Sequence, residues 1–192
     1  MRARFPLVLT AIVLAGLLLA IPRALPSRPT IAIRDLVADT SLLPDPWSGF
    51  PLKTETVDTP YSYGSMRNVS ASWALSEGLW PYFGEWILEY RSPMPAAIAF
   101  NVSISLATRS EPGIKQYDPH WDYLSEYADQ ARIGCTDVGT GVPIKPEICK
   151  AQLRYGQYIV LVTMSQPPVD RESFLRAVAL VDQYVGVHLE SN

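Results

Sequence analysis

The stretch 149-CKAQLRYGQYIVLVTM-164 decides the fold. Tyr155-Gly156 is a turn signal between two β-prone runs, Cys149–Arg154 and Gln157–Met164. Glycine adopts turn conformations closed to other residues, so the stretch reads as a β-hairpin. Successive strand side chains point to opposite faces. Tyr158, Val160, Val162 and Met164 therefore share one face, and Ile159, Leu161 and Thr163 share the other. Both faces are largely apolar, which predicts a central strand covered on both sides.

Downstream, Pro167 and Pro168 end the pairing, and Asp170 is placed to cap a helix. Phe174, Ala177, Val178, Val181, Tyr184 and Val185 recur at helical spacing and give a wide apolar stripe. This predicts a long C-terminal helix lying on the sheet, with Gly186 ending it early and residues 187–189 adding one more turn.

Upstream, Ile133 to Asp137 reads as a short strand carrying Cys135. Val69, Ala71 and Trp73 alternate with Asn68, Ser70 and Ser72, the pattern of a half-buried strand. Glu85 to Arg91, with WILEY at its centre, is β-prone by aromatic and branched content. Ile98, Phe100, Val102, Ile104 and Leu106 alternate with small or polar residues and predict a further strand. Asp118-Pro119 looks like a helix start, since Asp is a favoured cap and Pro fits the first helical position. Trp121, Leu124, Ala128 and Ala131 then share a helical face, and Asp122 and Glu126 suit the positive helix end. A helix is expected from Pro119 to about Ala131. The expected fold class is α+β. An antiparallel sheet of about five or six strands carries a mid-chain helix and the long C-terminal helix, and an N-terminal hydrophobic helix precedes it.

That first helix rests on Leu7–Ile21, fifteen residues that are apolar or small except Thr10. Arg2 and Arg4 precede it, and Pro22 and Arg23 follow. A basic start before an apolar run is the pattern of a secretory signal or a signal anchor. The positive-inside rule directs the remainder out of the cytoplasm. As a helix, residues 5–21 reach about 25 Å, slightly short of a ~30 Å hydrocarbon core. Sites ending at Ala20 and Ala24 carry Leu18 and Pro22 where a signal peptidase needs a small residue. A retained anchor in the membrane via residues 5–22 is the preferred reading, and secretion after cleavage is the alternative. Three regions result: 1–28 as signal or single-pass anchor, 29–60 as a proline-rich tether and wrapping segment, and 61–192 as the extracytoplasmic globular domain. Within 29–60, Asp35–Ala38 reads as a short helical turn. Pro44, Pro46 and Pro51 make a rigid path whose Trp47 is expected to plug into the core.

Of the 16 basic residues, Arg2, Arg4, Arg23 and Arg28 lie in the first 28 positions, where there is no acid. The rest carries 12 bases against 19 acids. Such a domain lacks the phosphate-neutralising charge that nucleic-acid binding needs. Cys135 and Cys149 are the two cysteines, and an even count in an exported chain predicts a disulfide. It would close the Gly- and Pro-rich loop TDVGTGVPIKPEI and contribute roughly 3 kcal/mol.

Candidate chemistry is thin. His120 and His188 are the two histidines, and there is no G-x-S-x-G elbow, phosphate loop or dinucleotide fingerprint. No cofactor is expected. His188 falls in the last turn of the final helix, where a cation complements the dipole. Asp118-x-His120-x-Asp122, with Glu126 and Asp129 beyond, concentrates cation ligands, but residues two apart diverge on a helix, so a capped acidic helix start is the plainer reading. Glu85 and Glu89 share a strand face some 13 Å apart, too far for a paired-carboxylate site, and read as solvated surface acids. Asn68-Val-Ser70 and Asn101-Val-Ser103 match the glycosylation pattern inside predicted strands.

Trp73, Trp80, Tyr82, Phe83, Trp86 and Tyr90 form a dense aromatic set. Trp80, Pro81 and Gly84 mark a turn, so Trp80, Tyr82 and Phe83, with Trp86 beside them, are the candidate contacts to a ligand or partner. The preferred functional reading is a non-catalytic, membrane-tethered extracytoplasmic interaction module, an accessory subunit with a protein partner. A small-molecule or glycan-binding module using the Trp80–Trp86 region is the second. A hydrolase using His120 is the third.

Overall fold

A computed structural model describes residues 30–45, 47–48, 52–57, 64–74, 82–107, 123–137, 147–166 and 171–191. The sheet has six antiparallel strands: β1 (Leu52–Val57), β2 (Arg67–Ala74), β3 (Tyr82–Glu89), β4 (Gln130–Asp137), β5 (Glu147–Tyr155) and β6 (Tyr158–Gln166). Their spatial order is β1-β2-β3-β6-β5-β4. Helix α1 is Pro93–Ala107 and helix α2 is Arg171–Glu190.

The expected β5–β6 hairpin forms, with its turn at Gly156-Gln157, one residue later than Tyr155-Gly156. Tyr155 pairs with Tyr158 across Gly156-Gln157, and Gly156 has φ 56°, in the left-handed region that glycine enters without a Cβ clash. β6 lies between β3 and β5 and is covered on both faces. Tyr158, Val160, Val162 and Met164 join the main core, together with Phe174, Ala177, Val178, Val181, Val185 and Leu189 of α2. Ile159 joins a second cluster with Leu88, Tyr90 and Ala96, Ala99 and Phe100 of α1. The sheet is thus sandwiched between α2 on one face and α1 on the other.

Residues 30–45, with 47–48 beyond, wrap the α2 side as a strap. It contains two short 3-10 helices, Ile33–Leu36 and Thr40–Leu42, and the first lies against β2, β3 and α2. Ile33, Leu36, Ala38, Leu43 and Trp47 are buried, so Trp47 fills the core as expected. The expected tether also contains a strand, since β1 pairs with β2 through residues such as Thr56 and Ser70.

Two expected elements are corrected. Residues 98–106 are not a strand but the body of α1. Pro93 and Pro95 suit a first helical turn, and alanines at 96, 97 and 99 favour helix. Ala96, Ala99 and Phe100 form the buried stripe, while Ile98 and Val102 are 58% and 44% exposed. Arg132 fixes this orientation. Its guanidinium lies 4.6 Å from the Phe100 ring centroid and donates to the Phe100 carbonyl and to Asn101 Oδ1.

The second correction concerns the helix expected over 119–131. Residues 119–122 lie outside the described residues, residues 123–129 are irregular, and β4 begins at Gln130. Leu124, expected on the core face, is 93% exposed. Gly186 does not end α2 either. It is buried within the helix, which runs to Glu190.

Candidate functional site

Beneath α2 lies a buried cluster of acids and phenols. Asp182 sits among Val178, Val181 and Val185 on the inward face of α2 and is buried. Three hydroxyls converge on its carboxylate. Tyr155, at the end of β5, donates to Oδ1 at 2.8 Å. Tyr123 and Ser125 donate to Oδ2 at 2.9 and 2.6 Å. The Ser125 oxygen in turn accepts the N–H groups of Tyr127 and Ala128. These bonds hold residues 123–128 in an irregular path, which explains why the expected helix does not form there.

An ionised carboxylate only accepts hydrogen bonds, and donors aimed at one from three places make it a hub. Burial raises the phenols of Tyr155 and Tyr123 well above the ordinary tyrosine value, and the neighbouring Asp182 charge adds to this. Both therefore stay protonated as donors. The chemistry available is cohesion between β5, the 123–128 segment and α2, with no nucleophile released by it.

Glu85 is the second buried acid. It lies on β3 between Ala71 of β2 and Val162 of β6, with no exposed surface. Its Oε2 accepts the Ala38 N–H from the strap at 3.0 Å, while Oε1 has no hydrogen-bond partner among the described residues. Burial pushes its carboxyl up to about 8, and the Ala38 N–H only partly offsets this. At neutral pH Glu85 is therefore mostly protonated.

Glu89, four residues on, is also buried and pairs with Arg67, its direct cross-strand partner. The expectation that Glu85 and Glu89 are solvated acids is thus overturned. On β3 they share the face that carries Phe83 and Ile87 into the main core. The surrounding residues, which come from the strap and α2, are far away in sequence, so local alternation could not reveal the burial.

The expected contact residues separate. Phe83 is fully buried, stacked at 5.3 Å on Trp73, and presents nothing to a ligand. Tyr82 and Phe83 belong to strand β3 and not to a turn. Trp86 is half-buried on the opposite face of β3. The Trp80 position, the Tyr82 side chain, and the Asp118, His120 and Asp122 motif lie outside the described residues. Asp129 is engaged structurally: its carboxylate accepts the Gly156 N–H at 2.6 Å and stands 3.3 Å from Arg154. Asn68 is buried in β2. His188 donates from Nδ1 to the Tyr184 carbonyl at 2.8 Å and stacks on that ring in the last turn of α2. Among the described residues no cluster of His, Cys, Asp or Glu could hold a metal ion, and no helix is long and apolar enough to cross a membrane.

These features define an α+β domain with a helix on each face of a six-stranded antiparallel sheet. No protein-family model matches the chain, and no curated protein matches it. Its fold is similar to that of the extracellular domain of PknH from Mycobacterium tuberculosis. The TM-score is 0.56 at 10% identity, over 82% of this chain and 98% of that one.

Proposed function

We propose that the chain is a non-catalytic, membrane-tethered interaction module whose globular part lies outside the cytoplasm and serves a membrane complex as an accessory subunit. The observation that carries this reading is the burial of the strap. Ile33, Leu36 and Trp47 are core residues, so the chain soon after the apolar segment is already part of the domain. With residues 5–22 in a bilayer, residues 23–29 alone separate anchor from domain, a span under about 26 Å when fully extended. A module held so close meets membrane-bound partners at high effective concentration.

Two further observations support it. The similar fold belongs to a domain described as extracellular. Three of the described acids that the sequence offered for chemistry, Glu85, Glu89 and Asp129, are taken up by packing and structural bonds, while Glu126 is exposed.

The register of the β4–β5 hairpin supports an oxidising location. Cys135 stands directly opposite Cys149, whose side chain is buried. Directly opposed residues in an antiparallel pair have Cα atoms about 4.5–5.5 Å apart, within the range a disulfide spans. We include this bridge in the proposal.

Membrane fractionation with intact-mass analysis tests the placement. The full chain starting at Met1 is expected in the membrane fraction, with the globular part open to protease added from outside the cell. A soluble chain starting near Leu25 would remove the anchor, and a cytosolic chain would remove the whole reading. For the interaction role, capture from detergent extract should repeatedly recover one membrane partner, and recovery of the protein alone counts against it.

A further inference from the structure

We propose that residues 30–45 are a proton-held strap, latched to the sheet through the neutral carboxyl of Glu85 and loosened when that carboxyl ionises. The geometry supports this without reference to where the domain resides. Glu85 stands mid-sheet with no exposed surface and offers Oε2 to the backbone N–H of Ala38, at the centre of the strap. Two longer bonds flank that contact. Ile31 N–H reaches the Tyr158 hydroxyl at 3.3 Å, and the Tyr184 hydroxyl reaches the Asp35 carbonyl at 3.3 Å.

The surroundings suit a neutral acid and not a carboxylate. Within the sheet its neighbours are Ala71 and Val162. From β5 the titratable group nearby is Tyr155, which binds Asp182 of α2. From α2 it is Tyr184, and from the strap Asp35 and Asp39 border that ring. All of these are phenols or acids. Arg34, the strap's basic residue, is exposed, and the state of Glu85 is set by burial and the Ala38 N–H. An ionised Glu85 would carry its charge on one hydrogen bond, with Oε1 unpartnered among the described residues in an apolar layer. Lifting the strap admits water to it.

The sign of the effect follows from linkage. With the strap closed, the carboxyl keeps its proton up to about 8, and with the strap open it returns towards the ordinary 4.5. Between those values the closed form binds the extra proton, so the open-to-closed ratio rises with pH, by up to about tenfold per unit, and levels off above pH 8.

Hydrogen exchange on the full-length chain in detergent micelles, from pH 5 to 8, tests this. Protection factors, corrected for intrinsic exchange, are compared between the native chain and Glu85→Gln. In the native chain the protection of the Val37 and Ala38 amides should fall severalfold per pH unit, while β5–β6 amides remain better protected at every pH. In Glu85→Gln the strap amides should show no such slope. The proposal is overturned by a flat native profile, by the same slope in both proteins, or by equal protection of strap and hairpin, which would mean that the strap opens only with the whole fold. If Glu85→Gln does not fold, carboxyl carbon NMR of the native chain decides. A Glu85 midpoint well above the ordinary carboxyl range, tracking the strap amides, supports the latch, and titration near 4.5 overturns it.

Discussion

Tyr155 at the end of β5 and Asp182 on α2 meet through a 2.8 Å hydrogen bond inside the core, joining the central hairpin to the C-terminal helix. Hydrogen bonds to a charged group contribute about 1.5–3 kcal/mol, and an acceptor left unmet in the core costs more than the bond is worth. Tyr155→Phe removes one donor of three and should lower stability by about 1–2 kcal/mol. Asp182→Ala orphans the Tyr155, Tyr123 and Ser125 hydroxyls together and should cost over about 3 kcal/mol. Urea denaturation of both variants checks the order. Equal losses would mean that the carboxylate is not the hub of the cluster.

Gly186 behaves against its usual propensity. Gly→Ala inside a helix ordinarily stabilises by about 1 kcal/mol. A Cβ here would overlap Cγ and Cβ of the Tyr127 side chain, which packs against the helix at that point. Gly186→Ala should therefore destabilise, by roughly 1–3 kcal/mol as in other overpacked sites. Combined with Tyr127→Ala, the added methyl should cost much less than it does alone. Additive losses in that cycle would show that the contact does not set the spacing.

Sequence pattern revealed this fold wherever one element's own periodicity fixed its environment. The β5–β6 hairpin, the two apolar faces of β6 and the α2 stripe were all legible, because burial there follows from strand or helix geometry alone. The hub was not. Asp182 sits inside an apolar helical stripe, and its polar partners at 123, 125 and 155 are brought to it only by the tertiary fold. A polar residue interrupting a buried stripe was the one signal available. Glu85 was hidden in the same way, since the donor it meets among the described residues comes from the strap 47 residues away. The Asp118-Pro119 signal misled over 123–131 because Ser125 captures backbone N–H groups in an irregular turn.

Helix α1 shows how two periods can fit one stretch. Ile98, Phe100 and Val102 would share a face on a strand, but the helix buries Phe100 and turns the other two outward. Phe100→Ala should cost about 3–5 kcal/mol, as for other buried aromatics. Ile98→Gln should stay within about 0.5 kcal/mol, as for an ordinary surface site. Thermal or urea denaturation of the pair separates the geometries, because a strand would make both costly.

The Cys135–Cys149 pairing carries its own test. A bridge closing this loop contributes roughly 3 kcal/mol on the chain-entropy account. The oxidised protein should be about 2 Da lighter than its reduced form, and Cys135→Ser with Cys149→Ser should lower the denaturation midpoint by the amount reduction does. Two thiols that react in the native protein without prior reduction would sink the bridge.

Glu85 makes global stability depend on pH in a direction opposite to that of an ion-paired acid. Its folded carboxyl titrates at about 8 against an ordinary 4.5, so the folded chain keeps a proton that the unfolded chain has lost. Stability is therefore full below about pH 4.5, declines as pH rises and reaches its floor above 8, at about 1.4 kcal/mol per unit before relaxation reduces it. Glu85→Gln keeps an acceptor for the Ala38 N–H and cannot ionise. It should flatten this slope and be more stable than the native chain at pH 7 by roughly 2 kcal/mol. Urea denaturation at pH 5, 6, 7 and 8 gives the answer. A native slope unchanged by the substitution would place the titrating group elsewhere, and a native stability that rises from pH 5 to 7 would sink the assignment to Glu85.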